Sequence, residues 1–269
     1  MQNDKKRMKK KIFEVLVCLV FAVAAVGCGA RNSQEQKGVE TEADSVNVAL
    51  GKNDGRFVKV DTLENLVVYT PVFSSIDLAC GEMPSKEYSS VIFCAAAAFT
   101  GSFLSEFKHS NIAGDHVSGG KRFEGYECRV NTGCFVYYGN KEWDFVYEDY
   151  SHALDSAAST GGMGFAQIMM INDGKVKQTY RTNPKNTRDV NEFRALCELN
   201  GNLCVIDSRG FVNFIDFVND LAAAGVSDAI YMDMGEGWNY SWWRHSDGTA
   251  VEIHETPCAY TTNWIAFYK

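Results

Sequence analysis

No Cys-x-x-Cys pair occurs in the chain, so structural zinc and thioredoxin-like redox chemistry both lack a foundation. There is no Gly-x-Ser-x-Gly elbow and no His-Glu-x-x-His, which removes the usual sequence grounds for a serine hydrolase or a zinc peptidase. The histidines, His109, His116, His152, His245 and His254, show no ligand spacing, and His254-Glu255 reads as an ordinary strand-end pair. Positive charge is not in excess: 26 Lys and Arg face 34 Asp and Glu, a net charge of -8 that argues against nucleic acid as a partner. The glycine-rich stretch 159–164 is not followed by a helical pattern, so it fails as a phosphate cradle and reads as a flexible connection. Internal repeats and low-complexity tracts are absent. Beyond the first thirty or so residues, no stretch is long and apolar enough to cross a bilayer.

What is present begins with an address. Lys5, Lys6, Arg7, Lys9, Lys10 and Lys11 form a basic segment, an apolar run covers 12–26, and Gly27-Cys28 closes it. Residues 1–27 resemble a bacterial lipoprotein signal, in which Cys28 is lipidated and becomes the first mature residue. The alternative is ordinary secretion with Cys28 an incidental thiol. On the first reading the protein sits in the bacterial cell envelope, on the periplasmic face or the cell surface, held to the membrane through its lipid. Residues 28–54 are polar, charged and nearly free of aromatics, as expected of a flexible tether. Residues 55–269 are the folded domain, and a chain with 46% hydrophobic and 13% aromatic residues can give it a proper core.

Of nine cysteines, Cys18 leaves with the signal and Cys28 is the anchor, so an odd number remains and at least one thiol is unpaired. Cys197 and Cys204 lie symmetrically about Asn200-Gly201, a strong two-residue hairpin signal. They face each other across that ladder either as a disulfide or as two small buried hydrophobes.

From Arg56 onward the domain reads strand-rich. Runs at 57–60 and 66–69 are β-branched and aromatic, and 90–99 is an apolar central strand whose small residues suggest close approach by another segment. Hairpins are expected at 134–138 with 142–146 and at 165–171 with 175–180. The polar stretch 109–126, holding His116 and Arg122, reads as a loop: either a ligand-bearing one or a solvated hairpin tip.

The centre of the domain is 203–234. An apolar strand at 203–206 ends in Asp207-Ser208-Arg209-Gly210. Phe214, Phe217, Val218, Leu221 and Ala222 then recur at helical spacing, Gly225 supplies the stop, and a second strand runs to Asp233. A helical crossover makes these strands parallel, so their carboxyl ends share one sheet edge, the edge that ligands favour in open α/β sheets. The expected fold class is therefore α+β: a mixed, largely antiparallel sheet with helices and one βαβ unit, 203–234, carrying the site.

Arg194-Ala195-Leu196, Asp207-Ser208-Arg209, the helix over 214–224, the Asp233-Met234-Gly235-Glu236-Gly237 loop and the late Asn263 follow one another in an order and spacing that resemble the phosphodiester glycosidase family. Upstream, Ala96-Ala97-Ala98-Phe99-Thr100 stands where the family has Asn-Gly-Gly-Phe-Phe. The resemblance covers most of the domain. It implies an exported glycosidase that hydrolyses a sugar phosphodiester of the N-acetylglucosamine-1-phosphodiester type, or a related glycan; no cofactor is expected and no residue is assigned to a metal. Cleavage at an anomeric carbon passes through an oxocarbenium-like state that a carboxylate stabilises or attacks. Asp233, Asp207 and Glu236 are the carboxylates proposed for that work. Arg194, Arg209, His116, Arg122, Trp238 and Asn263 are the substrate-binding set, guanidinium being suited to bidentate phosphate contact. The aromatic run 238–243 either stacks on sugar rings or packs as a surface cluster. Met234, Glu236 and Gly237 depart from the family's loop, as Ala96 does from its asparagine. The alternative is a catalytically inactive carbohydrate-binding lipoprotein.

Overall fold

The computed structural model describes residues 55–100, 112–125, 132–177, 190–234, 240–254 and 261–269. The proposed signal, Cys28 and the tether lie outside the described residues. In chain order the elements are β1 (Val58–Thr62), β2 (Leu66–Pro71), β3 (Ser75–Cys80), β4 (Val91–Ala96), β5 (His116–Ser118), β6 (Lys121–Phe123), β7 (Thr132–Tyr137), β8 (Trp143–Tyr147), α1 (Ser151–Ser159) and β9 (Met163–Asn172). They continue with β10 (Lys175–Val176), β11 (Val190–Asn191), β12 (Arg194–Leu199), β13 (Asn202–Ser208), β14 (Val212–Asn213), α2 (Phe214–Ala223), β15 (Val226–Met232), β16 (Ser241–Arg244), β17 (Ala250–His254) and β18 (Asn263–Tyr268).

The α+β expectation is overturned. Strands hold 54% and helices 11% of the described residues, and every strand pairing among them is antiparallel. The larger sheet runs β1-β2-β13-β12-β15-β9-β5-β6, with β7, β8 and β10 attached, and the smaller runs β17-β16-β4-β18-β3. The βαβ unit fails in an informative way. β13 and β15 do point the same way, because both are antiparallel to β12, but β12 lies between them and no parallel pair forms. The Asn200-Gly201 hairpin lays β12 against β13 first (both turn residues have positive φ), so α2 must carry the chain past β12 before β15 can pair.

The two sheets face each other across one apolar layer. Tyr69, Leu196, Val205, Ile230 and Met232 from the larger meet Ile92, Phe93, Ala95, Ile265 and Phe267 from the smaller. On the outer face of the larger sheet, α2 buries Phe214, Phe217, Val218 and Leu221 against Ala195, Cys197, Cys204 and Ile206. Each such side chain contributes about 1.5–3 kcal/mol on burial. The shorter α1 seats Ala153, Leu154 and Ala157 on Val117, Cys134 and Val136. The helices cover parts of a sheet and do not form a layer of their own. Among the described residues no helix is long and apolar enough to cross a membrane.

Cys197 and Cys204 are register partners, as their symmetry about the turn predicts, and both are free buried thiols. The Gly-rich connection at 159–164 is packed rather than loose. A Cβ on Gly162 would lie 2.0 Å from the Tyr137 carbonyl oxygen and one on Gly164 2.8 Å from that of Phe135, so glycine is needed there for close approach.

Candidate functional site

One end of the sandwich collects the chemistry. β4, β13, β15 and β17 finish there, and β12, β16 and β18 begin there. Arg194 opens β12 directly across from Asp207 on one side and Met232 on the other. Because opposed residues of an antiparallel pair share a face, the two side chains meet. Arg194 Nε donates to Asp207 Oδ1 at 2.6 Å and Nη2 to Oδ2 at 2.6 Å, a bidentate pair with both partners buried. The pair sits on the inter-sheet face, in line with Leu196 on β12 and Val205 on β13. Ser208 holds the register at the strand end, accepting from the Phe193 N–H at 3.0 Å and donating to the Gly210 carbonyl at 2.8 Å.

The third guanidinium nitrogen is different. Arg194 Nη1 is buried and has no hydrogen-bond partner among the described residues. An unsatisfied buried donor costs about 1–3 kcal/mol, more when charged.

Asp233 follows Met232 off the end of β15 and is buried, and its backbone N–H donates to the Ala97 carbonyl at 2.9 Å. That bond ties the end of β15 to the end of β4 and needs the small side chains at 95–98, all of them fully buried. Asn263 completes the tie. Its Oδ1 accepts from Ala98 N–H at 2.8 Å and its Nδ2 donates to the Ala98 carbonyl at 3.0 Å. The amide is thus engaged at its oxygen and at its nitrogen by the backbone of Ala98, and Asn263 shapes the strand end.

Three residues that sequence reasoning did not select complete the cluster. His254, at the end of β17, has Nε2 3.9 Å from Asp207 Oδ2 and Nδ1 3.9 Å from Glu192 Oε2. Burial, and then the Arg194 cation, hold its pKa below the ordinary imidazole value, against the opposing pull of Asp207 and Glu192. Tyr69 is on β2, opposite Val205. Burial, with Asp207 nearby, pushes its phenol up to about 12, partly offset by Arg194. No local pattern marks these residues: His254 and Tyr69 are brought in by strands far away in the chain, and Glu192 is an ordinary polar residue just before β12.

Other selected residues lie elsewhere. Arg209 is exposed, and its guanidinium donates to the Glu64 carbonyl at 3.0 Å, pinning the β1–β2 turn. Arg122 sits on β6, four strands along the sheet from β12, paired at 2.7 Å with Asp115 and 2.6 Å with Asp155. The stretch around it is a short hairpin locked to α1. His116, on β5, is fully buried and stacked on Phe123. Glu236 and Trp238 fall outside the described residues. Among those residues no group of three or more His, Cys, Asp or Glu is arranged to hold a metal ion. A cavity of about 320 Å³ opens between β1 and β16, lined by Arg56, Val58, Val60, Trp243, His245 and Ser246, and the strand-end cluster contributes nothing to its walls.

In solved structures the fold is matched by the zebrafish N-acetylglucosamine-1-phosphodiester alpha-N-acetylglucosaminidase catalytic domain, auto-inhibited by its pro-peptide. The match has a TM-score of 0.53 and 12% identity, over 80% of this chain and 82% of that one. The two share a fold. A hypothetical protein from Synechocystis matches at a TM-score of 0.44 and 9% identity, over 79% of this chain and 61% of its own. No family model matches the chain, and no curated protein matches it in sequence.

Proposed function

We propose that this protein is a glycosidase acting on a sugar phosphodiester of the N-acetylglucosamine-1-phosphodiester type. One observation carries the reading. A buried arginine with an unpartnered Nη1 stands at the same strand ends as Asp233, in a chain that shares its fold with the catalytic domain of a phosphodiester glycosidase. Asp233 supplies the carboxylate that stabilises or attacks the oxocarbenium-like centre. The departing phosphate monoester is already anionic, so it needs a cation and N–H donors more than a strong acid, and Arg194 Nη1 is the donor assigned to it. Asp207 holds the guanidinium in place.

The test is release of N-acetylglucosamine from a GlcNAc-phospho-sugar. We expect Asp233→Asn to lower turnover by at least about 100-fold, the usual scale for loss of a catalytic carboxylate. Equal turnover removes Asp233 from the mechanism. No turnover by either protein favours a carbohydrate-binding lipoprotein without catalysis.

The same reading places the protein at the cell envelope, anchored through Cys28. Labelled fatty acid should incorporate into the wild-type chain when it is produced in a bacterium, and Cys28→Ala should lose the label. Label retained by the variant would rule out Cys28 as the anchor.

A further inference from the structure

His254 belongs to the smaller sheet, yet its ring reaches across to the charged pair of the larger one. At 3.9 Å neither nitrogen is hydrogen-bonded to its facing carboxylate. The imidazole is 18% exposed and Glu192 30%, whereas the Arg194 side chain is closed off and Asp207 nearly so. His254 and Glu192 are therefore where the buried pair approaches solvent. The oxygen that faces His254 Nε2 is Asp207 Oδ2, the same atom that accepts from Arg194 Nη2.

We propose that His254 is a positioning residue whose protonation divides Asp207 between two cations and so frees positive charge on Arg194, Nη1 above all, for an anionic ligand. With a neutral imidazole, Asp207 serves Arg194 alone, and the formal charges of Arg194, Asp207, Glu192 and His254 sum to one negative charge. With an imidazolium they sum to zero, one charge more positive, and Oδ2 has two cations competing for it. The groups that bear on the ring are Arg194 from β12, Asp207 from β13 and Glu192 just before β12. Glu252, on the ring's own strand, is engaged with Lys86 and Tyr240. Since burial and Arg194 favour the neutral ring, the added charge appears only on acidification. Affinity for an anion of fixed charge then rises as pH falls, and by linkage a bound anion raises the imidazole pKa. That the anion is the phosphate of a substrate rests on the function proposed above; the coupling itself does not.

Sulfate keeps its charge through the range concerned and is the probe. The intact protein should bind it at least about threefold more tightly near pH 5 than near pH 7.5, as one extra charge a few ångströms away requires even with solvent screening. His254→Gln should abolish that difference. In NMR titrations the His254 midpoint should rise with saturating sulfate and fall in Glu192→Gln, a solvent-side change that spares the fold. A His254→Gln protein that keeps the wild-type pH difference overturns the proposal, and so does a midpoint indifferent to sulfate or an absence of sulfate binding at either pH. Failure of the sugar-release assay would sink the catalytic reading and leave this coupling standing.

Discussion

Asp207→Ala is expected to destabilise the protein by about 3–5 kcal/mol, the range for removing one partner of a buried ion pair. The substitution takes away both acceptors, at 2.6 Å each, and leaves a fully buried guanidinium with no carboxylate beside it. Solvent cannot easily compensate, because the Arg194 side chain has no exposure. For a chain of this size each kcal/mol lowers Tm by about 2–4 °C, so a loss of at least about 6 °C should appear in thermal unfolding. The companion variant is the more informative. Arg194→Met combined with Asp207→Ala replaces the pair by apolar groups next to Leu196 and Val205, and such replacements are often neutral or stabilising. We expect the double variant to return to within about 1–2 kcal/mol of wild type while losing all grip on anions. Stability regained with binding lost would mean that the charge at this strand end serves a ligand and not the fold. A single Asp207→Ala variant that costs less than about 1 kcal/mol would show that the guanidinium finds other acceptors, and the site would have to be redrawn.

The same pair shows where sequence reading reaches and where it stops. The Asn200-Gly201 turn puts Cys197 opposite Cys204, and the same register, which sequence reasoning did not follow outward, puts Arg194 opposite Asp207, because a two-residue hairpin has one register and its partners share a face. The α2 helix was equally legible, its apolar residues recurring at helical spacing and its buried face made of them. These are local facts. The fold class was not local: it depends on which strand takes the free edge of β12, and the order of elements along the chain does not say. β16 pairs with β4 although nearly 150 residues separate them, and β17 follows β16, so His254 reaches Asp207 only because two distant hairpins stack in one sandwich. Arg209 misled for a related reason. It lies beyond the last paired residue of β13, where alternation no longer governs direction, and its side chain turns to the nearest unsatisfied carbonyls. Glycines misled by composition alone: Gly162 and Gly164 mark close contact, which a sequence cannot distinguish from looseness.

Arg244→Ala should be nearly as costly as Asp207→Ala, although no acidic group is involved. Arg244 is buried at the end of β16, and its donors all go to backbone carbonyls. Nε reaches Val91 at 2.7 Å, Nη1 Gly248 at 2.7 Å, and Nη2 both Lys86 at 2.7 Å and Tyr88 at 3.1 Å. Its guanidinium also lies 5.3 Å from the centre of the Trp242 ring. One side chain therefore fastens the turn after β16, the segment before β4 and the first residue of β4 to one another. Hydrogen bonds from a charged donor contribute about 1.5–3 kcal/mol each, but water will reach some of the released carbonyls and the contributions do not add. A net loss of about 3–4 kcal/mol follows, read by denaturant unfolding. Lysine should restore less than half of it, since three donors on a single ammonium cannot reproduce a planar fork spanning three segments. An alanine variant that loses less than about 1 kcal/mol would mean that water serves these carbonyls as well as the guanidinium does, and that the β16 hairpin is held by Trp242 and the sheet alone.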